Sequence, residues 1–201
     1  MTSAARQTQP MTVEDFLAFL DAHPDERWEL IDGEPQMVGG GTLRHNTITL
    51  NIVAGLRPYA RKSGYRVFGA DVIVSRRDDA YFGAVPDVFV HCGAANPMQR
   101  LLDNPAIIVE VLSPSTLRRD RNQKLEQYRL MPSVDQIVHV NQDQVRIEMW
   151  TRAADTEPEA LDGWHLSVLT RLDETAEFRA IAAPIAVADI YDDALPETAT
   201  A

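Results

Sequence analysis

Two carboxylates, Asp87 and Glu110, stand in segments whose other residues are almost all apolar. Asp87 is the only charged residue between Val85 and Val90, and Glu110 is the only one in the run Ile107-Ile-Val-Glu-Val-Leu112. Both segments read as strands, and a buried carboxylate without a partner costs on the order of several kcal/mol even after relaxation. Two such groups on neighbouring strands imply either a shared cation or a structural ion pair. We read them as a hard-metal site. The competing reading has Asp87 capping a loop and Glu110 paired with a buried arginine, because buried charges need partners.

The segment after Glu110 carries a third group. Leu117, Lys124, Leu125, Tyr128 and Met131 fall on one stripe at helical spacing, with Arg121 close to it. A lysine on such a stripe usually lays its stem along apolar surface and sends its ammonium to solvent; a catalytic Lys124 is the alternative. Other chemistries find little support. Cys92 is the only cysteine, which excludes an intrachain disulfide and a cysteine zinc cluster. His23, His45, His91, His139 and His165 include no pair at metal-ligand spacing. His91 and Cys92 are adjacent strand residues, which point to opposite faces and so do not form a nucleophile–base pair.

The elements that must position these groups follow from punctuation and period. Thr12-Val-Glu-Asp15 resembles a capping box, with Asp15 returning a bond to Thr12, for a helix ending before Pro24. Trp28–Val38 reads as a β-hairpin turning at Asp32-Gly33. After Gly39-Gly-Gly41, the spacing of Ile48, Ile52, Leu56 and Tyr59 predicts a helix from Leu43 to about Lys62, stopped by Gly64. Tyr65–Ser75 reads as an alternating strand bent at Gly69, Arg76–Gly83 as a polar loop, and Val85–Val90 and Ala106–Leu112 as the two carboxylate strands. Ser113-Pro114-Ser115 starts a helix over Thr116–Leu130, ended by Met131-Pro132. Asp135–Val140 and Gln144–Trp150 form a second hairpin, followed by strands near Trp164–Leu169 and Phe178–Ile181. The sum is a mixed α/β domain built around one sheet.

Composition sets the outer limits. The 201 residues suffice for one substantial core, and no run approaches the ~18–20 apolar residues of a membrane span. The first ten residues hold no apolar stretch resembling a secretory signal, so cytoplasmic residence is the expectation. A net charge of −11 argues against broad nucleic-acid affinity. Its distribution is uneven: eleven acids from Asp155 to Glu197 face only Arg152, Arg171 and Arg179, whereas Arg118–Lys124 is locally basic.

Glu29-Leu-Ile-Asp-Gly-Glu34, His45, Pro86-Asp87, Glu110-Val-Leu-Ser-Pro-Ser-Thr116 and Lys124-x-x-x-Tyr128 together resemble the Uma-two-type (DUF820-like) restriction endonuclease family of the PD-(D/E)XK nuclease superfamily. The resemblance runs from about Thr12 to Trp150, and Ile185–Tyr191 is similar to the family's closing segment. It implies a restriction-endonuclease-like core, a mixed central sheet flanked by helices, with an N-terminal helix-hairpin and a C-terminal β extension. The corresponding domain spans residues 11–193, between disordered ends at 1–10 and 194–201. The implied function is metal-dependent hydrolysis of DNA phosphodiester bonds by an Mg²⁺-dependent endodeoxyribonuclease, with Mn²⁺ as a substitute. Asp87 and Glu110 become metal ligands, with the Val111 carbonyl as a third. The superfamily's usual lysine position, two after Glu110, holds Leu112. Lys124 from the following helix is then the candidate catalytic lysine, while Glu29 adds a carboxylate and His45 sits at the cleft edge. DNA is the implied substrate and a two-fold homodimer the implied assembly, because cutting both strands takes two sites. The alternative is a catalytically idle nuclease fold that binds nucleic acid or protein.

Overall fold

The structure is a computed structural model that describes residues 9–113, 123–154 and 162–195. Thr12 caps helix α1 (Val13–Ala22), its hydroxyl accepting from the Asp15 N–H at 3.2 Å and donating to the Asp15 carboxylate at 2.7 Å. The capping box is thus closed side chain to side chain, without the expected return bond to the Thr12 backbone. Strands β1 (Trp28–Ile31) and β2 (Glu34–Met37) form the hairpin at Asp32-Gly33, where φ values of 53° and 77° give the left-handed backbone conformation that a two-residue turn matched to the right-handed strand twist requires. Gly33 is required twice over, since a Cβ there would lie 2.4 Å from the Pro10 Cβ. Helix α2 (Leu43–Lys62) buries Ile48, Ile52, Leu56 and Ala60, and its chain turns away at Gly64 with φ +77°.

The next segment differs from expectation. Tyr65–Ser75 is two strands, β3 (Tyr65–Gly69) and β4 (Ile73–Arg76), which belong to different sheets. Gly69 therefore marks a crossing between layers, where the sequence suggests a bend. The expected polar loop at Arg76–Gly83 is mostly strand β5 (Asp79–Ala84), paired tightly with β4. Its polar residues occupy the hairpin end, where Arg76 ties Asp78 and Asp79 together, while Phe82, Gly83 and Ala84 are buried.

Strand β6 (Val88–Cys92) begins one residue after Asp87 and is paired on both sides. The strand read as Val85–Val90 thus starts later, and Pro86 and Asp87 form its approach. A two-residue strand, β7 (Leu101–Leu102), precedes β8 (Pro105–Leu112), every residue of which is buried. Helix α3 (Leu125–Arg129) leads to β9 (Gln136–Asn141), β10 (Ile147–Arg152) and β11 (Trp164–Leu169). The strand expected near Phe178–Ile181 lies earlier, as β12 (Thr175–Phe178). A 3-10 turn at Arg179–Ile181 follows, because Ala182 takes φ +48° and breaks the extended run. β13 (Ala183–Ala186) and α4 (Val187–Ile190) complete the chain. The expected helix start at Ser113–Ser115 and the first turns after it, most of the basic Arg118–Lys124 stretch, and most of both tails lie outside the described residues.

The single sheet of the sequence reading resolves into layers. A six-stranded mixed sheet, β11-β10-β9-β8-β6-β3, is parallel only between β8 and β9. A five-stranded sheet, β2-β1-β5-β4-β7, packs on one face of it through Ile31, Val74 and Phe82 against Phe89, Ile108 and Ile137. Helix α2 and the β12–β13 ribbon cover the other face through Ile48, Ile52 and Leu56 against Val109, Val111 and Val138. Helix α1 seats Phe16 on Leu30 and Ile73 behind the smaller sheet. This is the expected mixed α/β core with its N-terminal helix-hairpin and C-terminal β extension. Among the described residues, no helix is long and apolar enough to cross a membrane.

Candidate active site

Strand parity orients the site. On β8, Ile107, Val109 and Val111 join the core under α2, whereas Ile108 joins the core shared with α3 and the smaller sheet. Glu110 shares the Ile108 side and is buried there. Its Oε1 accepts from the Tyr128 hydroxyl at 2.7 Å and lies 2.7 Å from the Lys124 ammonium. Lys124 does not run to solvent: its side chain is only 3% exposed, and Nζ also donates to Glu29 Oε1 at 2.9 Å. Glu29, buried on β1, accepts from the Val85 backbone N–H at 2.8 Å through the same oxygen. One ammonium therefore bridges a carboxylate of the smaller sheet and a carboxylate of the larger one. A buried charge survives only with such partners, and here each polar contact is charge-assisted. Among the described residues, Glu110 is thus partnered by a lysine and a tyrosine.

The sequence pattern includes Tyr128 but assigns it no role. Its spacing of four from Lys124 places both groups on one helix face, the signal that points to it. Burial, reinforced by the neighbouring Glu110 charge, pushes the Tyr128 hydroxyl well above its usual range, so it stays protonated and donates.

Asp87 approaches from the other side. The β6–β8 register pairs Val88 with Val109, so one step further Asp87 stands opposite Glu110. Its Oδ2 accepts from the Val111 N–H at 2.7 Å and lies 3.2 Å from His45 Nε2, with 21% of the side chain exposed. Asp87 therefore accepts from the backbone of β8 and also lines the cavity that holds Glu110. His45 reaches it from the first turn of α2. The Thr42 hydroxyl caps that turn by accepting the His45 N–H at 3.1 Å, and donates to Gln142 Oε1 at 3.1 Å. Gly41 leaves space for the imidazole, because a Cβ there would meet His45 Nδ1 at 2.9 Å. In the sequence Gly41 reads only as part of a break and Thr42 does not stand out, since a cap and a missing Cβ acquire meaning only beside the group they seat.

Glu29, His45, Asp87, Glu110, Lys124 and Val111 line one cavity of about 540 Å³, which continues outward to Trp28 and Arg100. The donors available to a cation are the Asp87 and Glu110 carboxylates. A residue's N–H and C=O leave a strand on the same edge, so the Val111 carbonyl shares the edge that faces Asp87. All three are hard oxygen donors, which suit Mg²⁺ or Mn²⁺ and not a thiolate- or imidazole-seeking metal. No group of three or more His, Cys, Asp or Glu side chains is placed to hold a metal among the described residues. Two carboxylates and a carbonyl would leave the remaining coordination positions of such a cation to water.

The sequence matches the Uma2 family, described as "Putative restriction endonuclease", over residues 13–178. Two proteins of Synechocystis sp. (strain ATCC 27184 / PCC 6803 / Kazusa) are similar along most of their length. "Uncharacterized protein sll1609" is 27% identical over 175 residues, 85% of this chain and 94% of that protein. "Uncharacterized protein slr1290" is 25% identical over 167 residues, 83% of this chain and 84% of that protein. A solved DUF820 protein of Anabaena variabilis ATCC 29413, described as a "putative nuclease", superposes with a TM-score of 0.70 at 16% identity, over 90% of this chain and 98% of that one. At that identity the likeness speaks to the fold, which agrees with the family match. The chain belongs to the Uma2 restriction endonuclease family and has its restriction-endonuclease-like mixed α/β fold.

Proposed function

We propose that this protein is a metal-dependent endonuclease that hydrolyses DNA phosphodiester bonds. The observation that carries the reading is the Lys124 ammonium, 2.7 Å from Glu110 although Leu112 occupies the position two residues on. A helix has delivered the cation that the strand lacks. Asp87, Glu110 and the Val111 carbonyl would hold Mg²⁺, with Mn²⁺ as a substitute. When bound, the ion supplies Lewis-acid stabilisation of the phosphoryl oxygens and a source of nucleophile at neutral pH.

The chain's own groups do the rest. Lys124 donates toward charge developing at phosphorus, where a fixed donor in a water-poor site is worth most. Glu29 and Tyr128 act as positioning residues, Glu29 fixing the Lys124 ammonium and Tyr128 the Glu110 carboxylate. His45 holds the Asp87 carboxylate at the cleft edge. Two sites are needed to cut both strands, so the active species is a two-fold homodimer acting on cytoplasmic DNA.

Purified protein with Mg²⁺ or Mn²⁺ should nick or cut supercoiled plasmid, and Asp87→Ala and Glu110→Ala should reduce the rate by at least about a hundredfold, the scale of a lost catalytic group. Equal cutting by the wild type and both variants would assign the activity to a contaminant. No cutting, together with no divalent-cation binding by calorimetry at millimolar metal, would favour an idle nuclease fold that binds nucleic acid or protein.

A further inference from the structure

The cavity is larger than a metal centre needs. Its inner end holds Glu110 and Lys124, and its outer wall is built by Trp28, Arg27 and Arg100. At about 540 Å³ it falls within the range of small-molecule sites, roughly 300–1,000 Å³. That space suits one nucleotide but not a base pair with its two backbones. Trp28 is half-buried and lies across the stacked rings of Phe19 and His23, with ring centroids 5.2 Å from Phe19 and 6.2 Å from His23. The Trp28 indole N–H donates to Glu26 at 2.8 Å, which fixes the ring in place.

The outer wall also carries two guanidiniums, among the acids Asp21, Glu26 and Asp71. The Arg27 side chain is 50% exposed and pairs with Asp71, itself 84% exposed, at 3.3 Å. That of Arg100 is 49% exposed and pairs with Asp21, 70% exposed, at 2.5 Å. Exposed pairs of this kind contribute little, and a guanidinium exchanges such a partner readily for the fork geometry of a phosphate. A fixed aromatic and two exchangeable guanidiniums lining one cavity supply both halves of nucleotide recognition: a stacking surface for the base and cations for its phosphate.

Resting on the nuclease reading, we propose that this outer chamber is a subsite for an unpaired nucleotide next to the scissile phosphate. Its base stacks at Trp28 and its phosphate is held by Arg27 and Arg100. The substrate class is therefore single-stranded DNA, or duplex with a flap or an extruded base, and not continuous duplex.

Binding to metal-free full-length protein in EDTA separates this subsite from catalysis. Fluorescence anisotropy with a labelled dT12 single strand and with a labelled twelve-base-pair blunt duplex should show the single strand bound at least about tenfold more tightly. Trp28→Leu should weaken binding to the single strand on the order of 10- to 100-fold, the loss of one stacked base. Trp28→Phe, which keeps an aromatic face, should retain most of the affinity. The surface double variant Arg27→Ala/Arg100→Ala tests the phosphate contact without touching the core and should also weaken binding at least tenfold. Equal or tighter binding of the duplex, no binding of the single strand, or wild-type affinity in both Trp28→Leu and the double arginine variant would overturn the subsite. Wild-type protein that binds dT12 as expected yet cuts no DNA with Mg²⁺ would contradict the proposed activity while leaving the subsite standing.

Discussion

Lys124 is the residue on which the site's electrostatics turn, because its ammonium is the cation shared by Glu29 and Glu110. Lys124→Met keeps the stem and removes the charge, leaving two buried carboxylates facing each other. Breaking a buried pair from one side costs about 3–5 kcal/mol, and urea unfolding of Lys124→Met should show a loss of that size. Adding Glu29→Gln should recover part of it, since the two positions are coupled. Tyr128→Phe removes one charge-assisted hydrogen bond to Glu110 and should cost about 1.5–3 kcal/mol by the same measurement. Away from the site, burial lowers the pKa of His91 from its ordinary 6.5. The folded protein then takes up this proton less readily than the unfolded chain, so the contribution of His91 is complete above pH 6.5 and is lost as pH falls below it. The drop in Tm between pH 7.5 and 5.5 should therefore be smaller in His91→Leu than in the wild type; an identical drop in both would show that His91 does not contribute.

At the scale of elements, some parts were legible because one local rule decided them. The Ile48, Ile52 and Leu56 period sets α2, and Asp32-Gly33 sets the first hairpin. A charged residue amid apolar neighbours marks both Asp87 and Glu110. The rest depended on contacts remote in sequence. The direction of Lys124 is decided by Glu29, 95 residues away, so a stripe pattern alone favours the solvent-seeking lysine. The partition of Tyr65–Ser75 between two sheets is decided by which neighbours pair with each half, and β5 was concealed by the polar residues of its own hairpin end. Element-level control of the site is testable at Thr42. Thr42→Ala removes the α2 cap and its bond to Gln142, and should cost about 1 kcal/mol in urea unfolding. Because that turn carries His45, the same variant should lower the nuclease rate by more than its small stability loss explains.

For the molecule as a whole, the site lies where two sheets meet: the smaller brings Glu29, the larger brings Glu110 on β8 and Asp87 on the approach to β6, and the segment entering α3 brings Lys124. Acids outnumber bases over the chain as a whole, with a net charge of −11, so the proposed DNA engagement would be local to the cleft and not spread over the surface. The proposed function requires that Asp87 and Glu110 share a divalent cation beside Lys124. Crystals soaked in millimolar Mn²⁺ measure this directly through anomalous density. A peak bounded by Asp87, Glu110 and the Val111 carbonyl is expected, absent from Asp87→Asn crystals treated alike. Wild-type crystals with no peak there, and with Lys124 still bridging Glu29 and Glu110, would contradict it.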